Sequence, residues 1–80
     1  MTVGEAVRER IFELCAERDI SINKLSTLSG ITQSTLNNIV SARNRSTTVS
    51  TVKKLCDGLG ITLGEFFSTP EFDALEQEIE

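Results

Sequence analysis

Uncharged hydrogen-bonding side chains line one side of a short predicted helix near the middle of this chain of 80 residues. Leu36, Ile39 and Val40 recur at helical spacing and should face the core. The polar residues on the opposite side are Ser34, Asn37, Asn38 and Ser41, with Gln33 at the exposed start of the helix. Amide side chains can form paired hydrogen bonds with adenine, and serine can bond to either partner of a base pair. These residues therefore offer recognition of base edges, with a mild preference for A·T pairs; a polar face that only meets water is the alternative.

Two short helices joined at a glycine must position this polar face. Ser21 is a favoured N-cap for the first helix and Thr32 for the second. Apolar residues flank each cap and can pack together across the first turn: Ile20 with Leu25, and Ile31 with Leu36. Gly30 lies between them, where the first helix must end in a left-handed backbone conformation. The stretch from Ser21 to Ala42 therefore predicts a helix-turn-helix whose second helix projects in a way that suits a DNA major groove.

The first and fourth predicted helices supply most of the apolar residues. The first runs from about Thr2 to Arg18, and Thr2 with Glu5 forms a possible capping box. The fourth follows a cap at Thr48, and Gly58 and Gly60 are expected to mark its end. The residues expected to face the core from these two helices are Val3, Val7, Ile11, Leu14, Cys15, Val49, Val52, Leu55, Cys56 and Leu59.

Two short helices are predicted to close the chain. Thr62 and Glu65 form a capping box for the fifth helix. Pro70 can occupy the first position of a last, acidic helix that contains Phe72, Leu75 and Ile79. The prediction is an all-α fold, a compact five-helix bundle of residues 1–68 with an acidic C-terminal extension of residues 69–80. That extension can pack on its own domain, pair with a partner or be disordered.

The net charge of −4 hides an uneven distribution. Residues 1–19 carry three basic and five acidic residues, residues 20–56 carry five basic and no acidic residues, and residues 57–80 carry seven acidic and no basic residues. The positive charge thus coincides with the predicted helix-turn-helix, as a DNA-binding surface requires. The candidates for phosphate contacts are Asn23, Lys24, Thr32, Thr35, Ser41, Arg43, Asn44, Arg45 and Ser46.

The chain resembles the phage repressor and Cro-type helix-turn-helix domains, the XRE family of bacterial transcription regulators. The residues that carry the resemblance are Leu25, Gly30, Ile31, Leu36, Ile39, Val52, Leu55, Leu59, Gly60, Ile61, Thr62, Leu63, Glu65 and Phe66. It spans roughly residues 3–67 and implies a lambda-repressor-like bundle. It also implies that Gln33, Ser34 and Asn38 read base edges, with Asn37 as a further candidate. The sequence departs from many members at Ile22, where they carry glutamine, and at Ser26, where they carry alanine.

An enzyme is poorly supported by the residue types present. The chain contains no histidine and no tyrosine, so neither Cys15 nor Cys56 has a neighbouring base that could activate it. The two cysteines are interpreted as reduced core residues. No glycine-rich phosphate loop and no recognisable metal cage occur, and no cofactor is expected.

From a length of 80 residues we expect no second, ligand-sensing domain, and from the composition we expect no signal peptide and no membrane span. We therefore expect a cytoplasmic repressor that occupies an operator in double-stranded DNA. A homodimer on half-sites about 34 Å apart is expected, because one recognition helix reads only a few base pairs. The alternative is an antitoxin or protein-interaction module that neutralises a partner protein and can also bind its own promoter. The acidic tail and the ridge of Glu5, Glu9, Glu13 and Glu17 favour that alternative.

Overall fold

Helices account for all the regular secondary structure in the part of the chain described by the computed structural model, residues 1–41 and 47–79. They are α1 Val3–Arg18, α2 Ile22–Ser29, α3 Gln33–Val40, α4 Val49–Leu59, α5 Leu63–Phe67 and α6 Pro70–Asp73. Helix α2 packs mainly against α4, and α3 packs against both α1 and α2. The predicted all-α bundle is confirmed. None of the described helices combines the length and the apolarity that crossing a bilayer requires.

The first five helices begin at the predicted hydroxyl caps. The capping residues are Thr2, Ser21, Thr32, Thr48 and Thr62, and each side-chain oxygen accepts a bond from a backbone N–H three residues later. Thr62 and Glu65 complete a reciprocal capping box, with bonds of 3.0 and 3.1 Å. Gly30 ends α2 at φ 67°, in the left-handed region that a glycine reaches without steric cost. Local capping chemistry therefore sets the helix boundaries on both sides of the turn.

The core consists of apolar residues from the first five helices. Phe66, Leu25 and Leu36 are fully buried, as are residues from α1 and α4. The prediction that Val49 faces the core is wrong, because this residue opens α4 and 67% of its surface is exposed. The core begins one turn later in this helix, at the buried Val52.

Gly58 has a different role from the one predicted. It lies inside α4 rather than marking its end, and the helix ends at Gly60, whose φ is 71°. A methyl group on Gly58 would lie 3.0 Å from both the Cα and the backbone nitrogen of Ser29 in α2. The glycine therefore allows α2 and α4 to approach closely. The Ser29 hydroxyl is buried at this crossing and has no hydrogen-bond partner among the described residues.

The last helix is shorter than predicted. Helix α6 ends at Asp73, so the prediction that it contains Leu75 and Ile79 is wrong. Its cap residue Thr69 makes no side-chain capping bond, and acidic residues beyond a helix C-terminus oppose the helix dipole, so little favours extension. Phe72 nevertheless packs onto the domain, with its ring centroid 4.9 Å from that of Phe67. The extension thus contacts its own domain through Phe72, whereas 86% of Ile79 is exposed.

Both cysteines are free and buried, as predicted. Burial raises the pKa of the Cys15 and Cys56 thiols above the ordinary value, an effect that Arg18 and Lys53 only partly offset. The folded protein therefore holds these protons more tightly than the unfolded chain does. We expect the stability that they contribute to be fully present below the ordinary thiol pKa and to be lost as the pH rises through the raised values.

Urea unfolding between about pH 7 and pH 10 measures this loss of stability at alkaline pH. The double variant Cys15→Ala/Cys56→Ala is the control, and its free energy of unfolding should vary less with pH across the upper part of the range. If the free energy of unfolding fell equally with pH in the two proteins, the loss of stability at alkaline pH would come from groups other than the cysteines.

Candidate nucleic-acid interface

The outer face of α3 presents the four predicted base-reading residues together. Gln33, Ser34, Asn37 and Asn38 are all exposed, whereas Leu36 and Ile39 on the opposite side are buried. The predicted orientation of this helix is therefore confirmed. Ser34 lies three and four positions before Asn37 and Asn38, and Gln33 lies four before Asn37, so these side chains are neighbours on the helix surface. We call these four residues the polar face of α3.

Two threonines organise the start of α3. Thr32 Oγ1 accepts a bond of 3.2 Å from the backbone nitrogen of Thr35 and donates one of 2.9 Å to Thr35 Oγ1. Because Thr32 donates in this pair, the hydroxyl hydrogen of Thr35 remains available for an outside acceptor. Both residues are exposed, so this corner can meet a phosphate oxygen beside the groove.

The start of α2 forms a second exposed corner. Asn23 and Lys24 are both exposed there, on a different helix from the polar face of α3. Ser21 Oγ accepts a hydrogen bond of 3.0 Å from the backbone nitrogen of Lys24. The backbone N–H groups before that of Lys24 have no partner within the helix. The positive end of the helix dipole and the Lys24 ammonium group therefore both favour an anion at this end of α2.

The two departures from the family pattern both lie in α2. Ile22 is half-buried and packs against the core. Ser26 is only 3% exposed, and its hydroxyl donates a bond of 2.7 Å to the backbone oxygen of Asn23. A serine therefore fits at this buried position because its polar atom is satisfied within its own helix.

The end of α3 carries the remaining predicted contacts. Ser41 caps the helix in an extended conformation, and its hydroxyl donates a bond of 2.9 Å to the backbone oxygen of Asn38. The predicted phosphate contacts at Arg43, Asn44, Arg45 and Ser46 lie outside the described residues. Their roles remain predictions from the sequence.

Arg8 in α1 was not predicted to belong to this region. Its Nε atom donates a bond of 2.8 Å to the backbone oxygen of Val40, the last residue of α3. No local pattern indicates a bond between residues so far apart in the chain.

The charged residues in the segment of the sequence that contains the helix-turn-helix are basic. Lys24, Lys53 and Lys54 are exposed, and the segment from residue 20 to residue 56 contains no acidic residue. Lys53 forms an ion pair with Asp57 one turn along α4, so its charge is partly balanced. Across residues 1–41 and 47–79, no three histidine, cysteine, aspartate or glutamate residues come together in a way that could hold a metal ion.

Comparison with known proteins gives consistent matches. Residues 10–71 match the family model of the Cro/C1-type HTH DNA-binding domain. The HTH-type transcriptional regulator PuuR of Escherichia coli K12 is 35% identical over 68 residues, as is PuuR of Shigella flexneri. These matches cover 85% of this chain but 36% of each regulator, so the chain spans just over a third of their length. The crystal structure of the prophage Lp1 protein 11 is similar, with a TM-score of 0.83 and 36% identity; the match covers 94% of this chain and 99% of that one.

Proposed function

The chain belongs to the Cro/C1-type helix-turn-helix family of DNA-binding domains, and from this membership we propose that it is a sequence-specific transcriptional regulator that represses by occupying an operator. The observation that carries the proposal is the polar face of α3, four exposed amide and hydroxyl side chains on a helix whose other side is buried. Helix α3 enters the major groove, and this face bonds to base edges.

Gln33, Asn37 and Asn38 each carry an amide that can donate and accept at once, which matches the N6 and N7 atoms of adenine. Ser34 adds a shorter hydroxyl contact. None of the four carries a charge, so they add little to sequence-independent attraction. Their contribution is therefore the discrimination of one site from another.

Phosphate contacts flank the groove on both sides of this face. Asn23 and Lys24 at the start of α2, together with Thr32 and Thr35 at the start of α3, bind one part of the backbone. Arg43, Asn44, Arg45 and Ser46, with Ser41 before them, bind another. A homodimer places two such modules on half-sites about one helical turn apart, roughly 34 Å.

Replacing Arg43 or Arg45 by alanine is expected to weaken binding to all duplexes alike. Each lost phosphate contact should reduce the slope of log affinity against log salt by about one unit, because fewer counterions are released. Fluorescence anisotropy across a salt series measures this slope. Arg18→Ala is the matched control, since Arg18 lies at the end of α1 beside Glu17. A slope that stays at the wild-type value would exclude the tested arginine as a phosphate partner.

Selection of bound sites from random duplexes tests the proposal as a whole. We expect a short recurring half-site containing A·T pairs, repeated in inverted orientation at a fixed spacing. A purified protein that ignores every duplex at low ionic strength would contradict the proposal. A protein that binds all duplexes equally would contradict the part that concerns sequence reading.

A further inference from the structure

The C-terminal end of α3 differs from the ends of the other long helices. Helices α1, α2 and α4 end at Asp19, Gly30 and Gly60 in the left-handed conformation, and the N–H of each cap returns to carbonyls of its own helix. Helix α3 ends instead at Ser41 in extended backbone, with φ −75° and ψ 156°. The last carbonyls of a helix need partners from elsewhere when the chain leaves in this way.

Arg8 supplies such a partner from α1. Its Nε atom lies 2.8 Å from the oxygen of Val40, at a partly buried position. The guanidinium carbon lies 5.4 Å from the centroid of the Phe12 ring, within the range of a cation–π contact. A cation at a helix C-terminus is also favoured by the helix dipole. The Arg8 guanidinium thus contacts the Phe12 ring and also donates a hydrogen bond to the end of α3.

We propose that Arg8 is a positioning residue for sequence reading by α3. It touches no base, and it fixes the end of the reading helix to the longest helix of the domain. Helix α3 has only eight residues, so a small tilt at one end displaces every side chain of its polar face. Paired hydrogen bonds to bases depend on precise placement, and a looser helix loses discrimination before it loses attraction to DNA. This inference rests on the proposed function and adds a residue outside the contact surface to it.

Arg10 provides an internal comparison. Its Nε and Nη2 atoms donate to the backbone oxygens of Phe66 and Glu65, at 2.7 and 2.8 Å, so it holds the end of α5 as Arg8 holds the end of α3. Both arginines lie in α1 and carry the same charge, although Arg10 also forms an ion pair with Glu13. Helix α5 carries none of the proposed DNA contacts. Replacing Arg10 therefore reproduces the loss of charge and of a helix anchor without touching the reading helix.

The experiment compares Arg8→Met with Arg10→Met on two duplexes, the selected site and a scrambled sequence of the same composition. Methionine keeps an apolar stem and removes both the charge and the donor. We expect Arg8→Met to lose about tenfold in affinity for the selected site, the loss of roughly one good base contact. Its affinity for scrambled DNA should fall no more than that of Arg10→Met. Arg8→Lys retains a charged donor and should therefore keep most of the wild-type affinity for the selected site.

Measurements are made at a temperature where circular dichroism shows each variant to be folded. If Arg8→Met does not fold, Arg8→Gln, which keeps a neutral N–H donor on a shorter stem, enters the same comparison in its place. If Arg8→Met had the same ratio of affinities for the selected and the scrambled duplex as the wild type, the role of Arg8 would be overturned and the proposed function would still stand. Equal losses on both duplexes with a smaller salt slope would overturn it as well, because Arg8 would then be a phosphate contact. A wild-type protein that selects no site would overturn the proposed function and this inference together.

Discussion

Replacing Gln33 and Asn38 by alanine is expected to reduce the affinity for the selected site by about 1 to 3 kcal/mol at each position. Both side chains are exposed on α3, so their removal leaves the core intact. Both are uncharged, so the attraction to the DNA backbone should not change and the salt slope should stay at its wild-type value. The affinity for random DNA should therefore remain nearly constant while the specificity ratio falls.

Gln77 offers a matched control for this experiment. It is an exposed amide in the acidic extension, and Gln77→Ala removes the same chemical group from a region without proposed DNA contacts. Titration of each variant with the selected and the scrambled duplex gives both affinities. If Gln33→Ala and Asn38→Ala weakened binding to the two duplexes equally, these residues would not read bases.

The features that sequence predicts well here are those that depend on neighbouring residues. Hydroxyl caps at Ser21, Thr32 and Thr62 act over three residues, and Gly30 acts through its own backbone. Helical periodicity then indicates which side of each helix is buried. These local rules were sufficient to predict the turn and the outward orientation of the polar face of α3.

The features that sequence missed depend on distant parts of the chain. The bond between Arg8 and Val40 joins residues 32 positions apart, and the close approach at Gly58 depends on where α2 crosses α4. Periodicity also fails at helix ends, as Val49 shows, because a residue on the apolar side can project past the core. Local signals thus define what each helix presents, whereas tertiary packing decides how firmly it is held.

The distinction between local signals and tertiary or docked geometry also explains which part of the candidate site remains a prediction. Exposure and helix boundaries are properties of the free protein, and they support the polar face of α3 as a contact surface. Which base each side chain meets depends on the docked geometry and on the DNA itself. Residues such as Asn37 and Asn38, which are adjacent and chemically identical, can only be distinguished by their effects on binding.

Gly58→Ala is expected to lower the free energy of unfolding by about 1 to 3 kcal/mol, the usual cost of overpacking a well-packed contact. The added methyl group would overlap the Ser29 hydroxyl, which can rotate away, and would also lie 3.0 Å from the Cα and the nitrogen of Ser29. These are backbone atoms of α2, so the strain cannot be relieved by a side-chain rotation. Helices α2 and α4 must move apart, although they form the largest helix–helix contact of the described chain.

Gly64→Ala is the matched control, because it makes the same change in a helix with open space. The nearest atom to its added methyl group is Thr62 Oγ1, at an ordinary contact distance of 3.8 Å. Alanine is favoured over glycine in a helix by up to about 1 kcal/mol, so this variant should be as stable as the wild type or more stable. Urea unfolding of both variants measures the difference. Similar free energies of unfolding for the two would mean that the crossing of α2 and α4 tolerates a methyl group and that Gly58 is not needed for close packing. A loss confined to Gly58→Ala would instead show that α2 and α4 are packed too closely at this crossing to accept a methyl group.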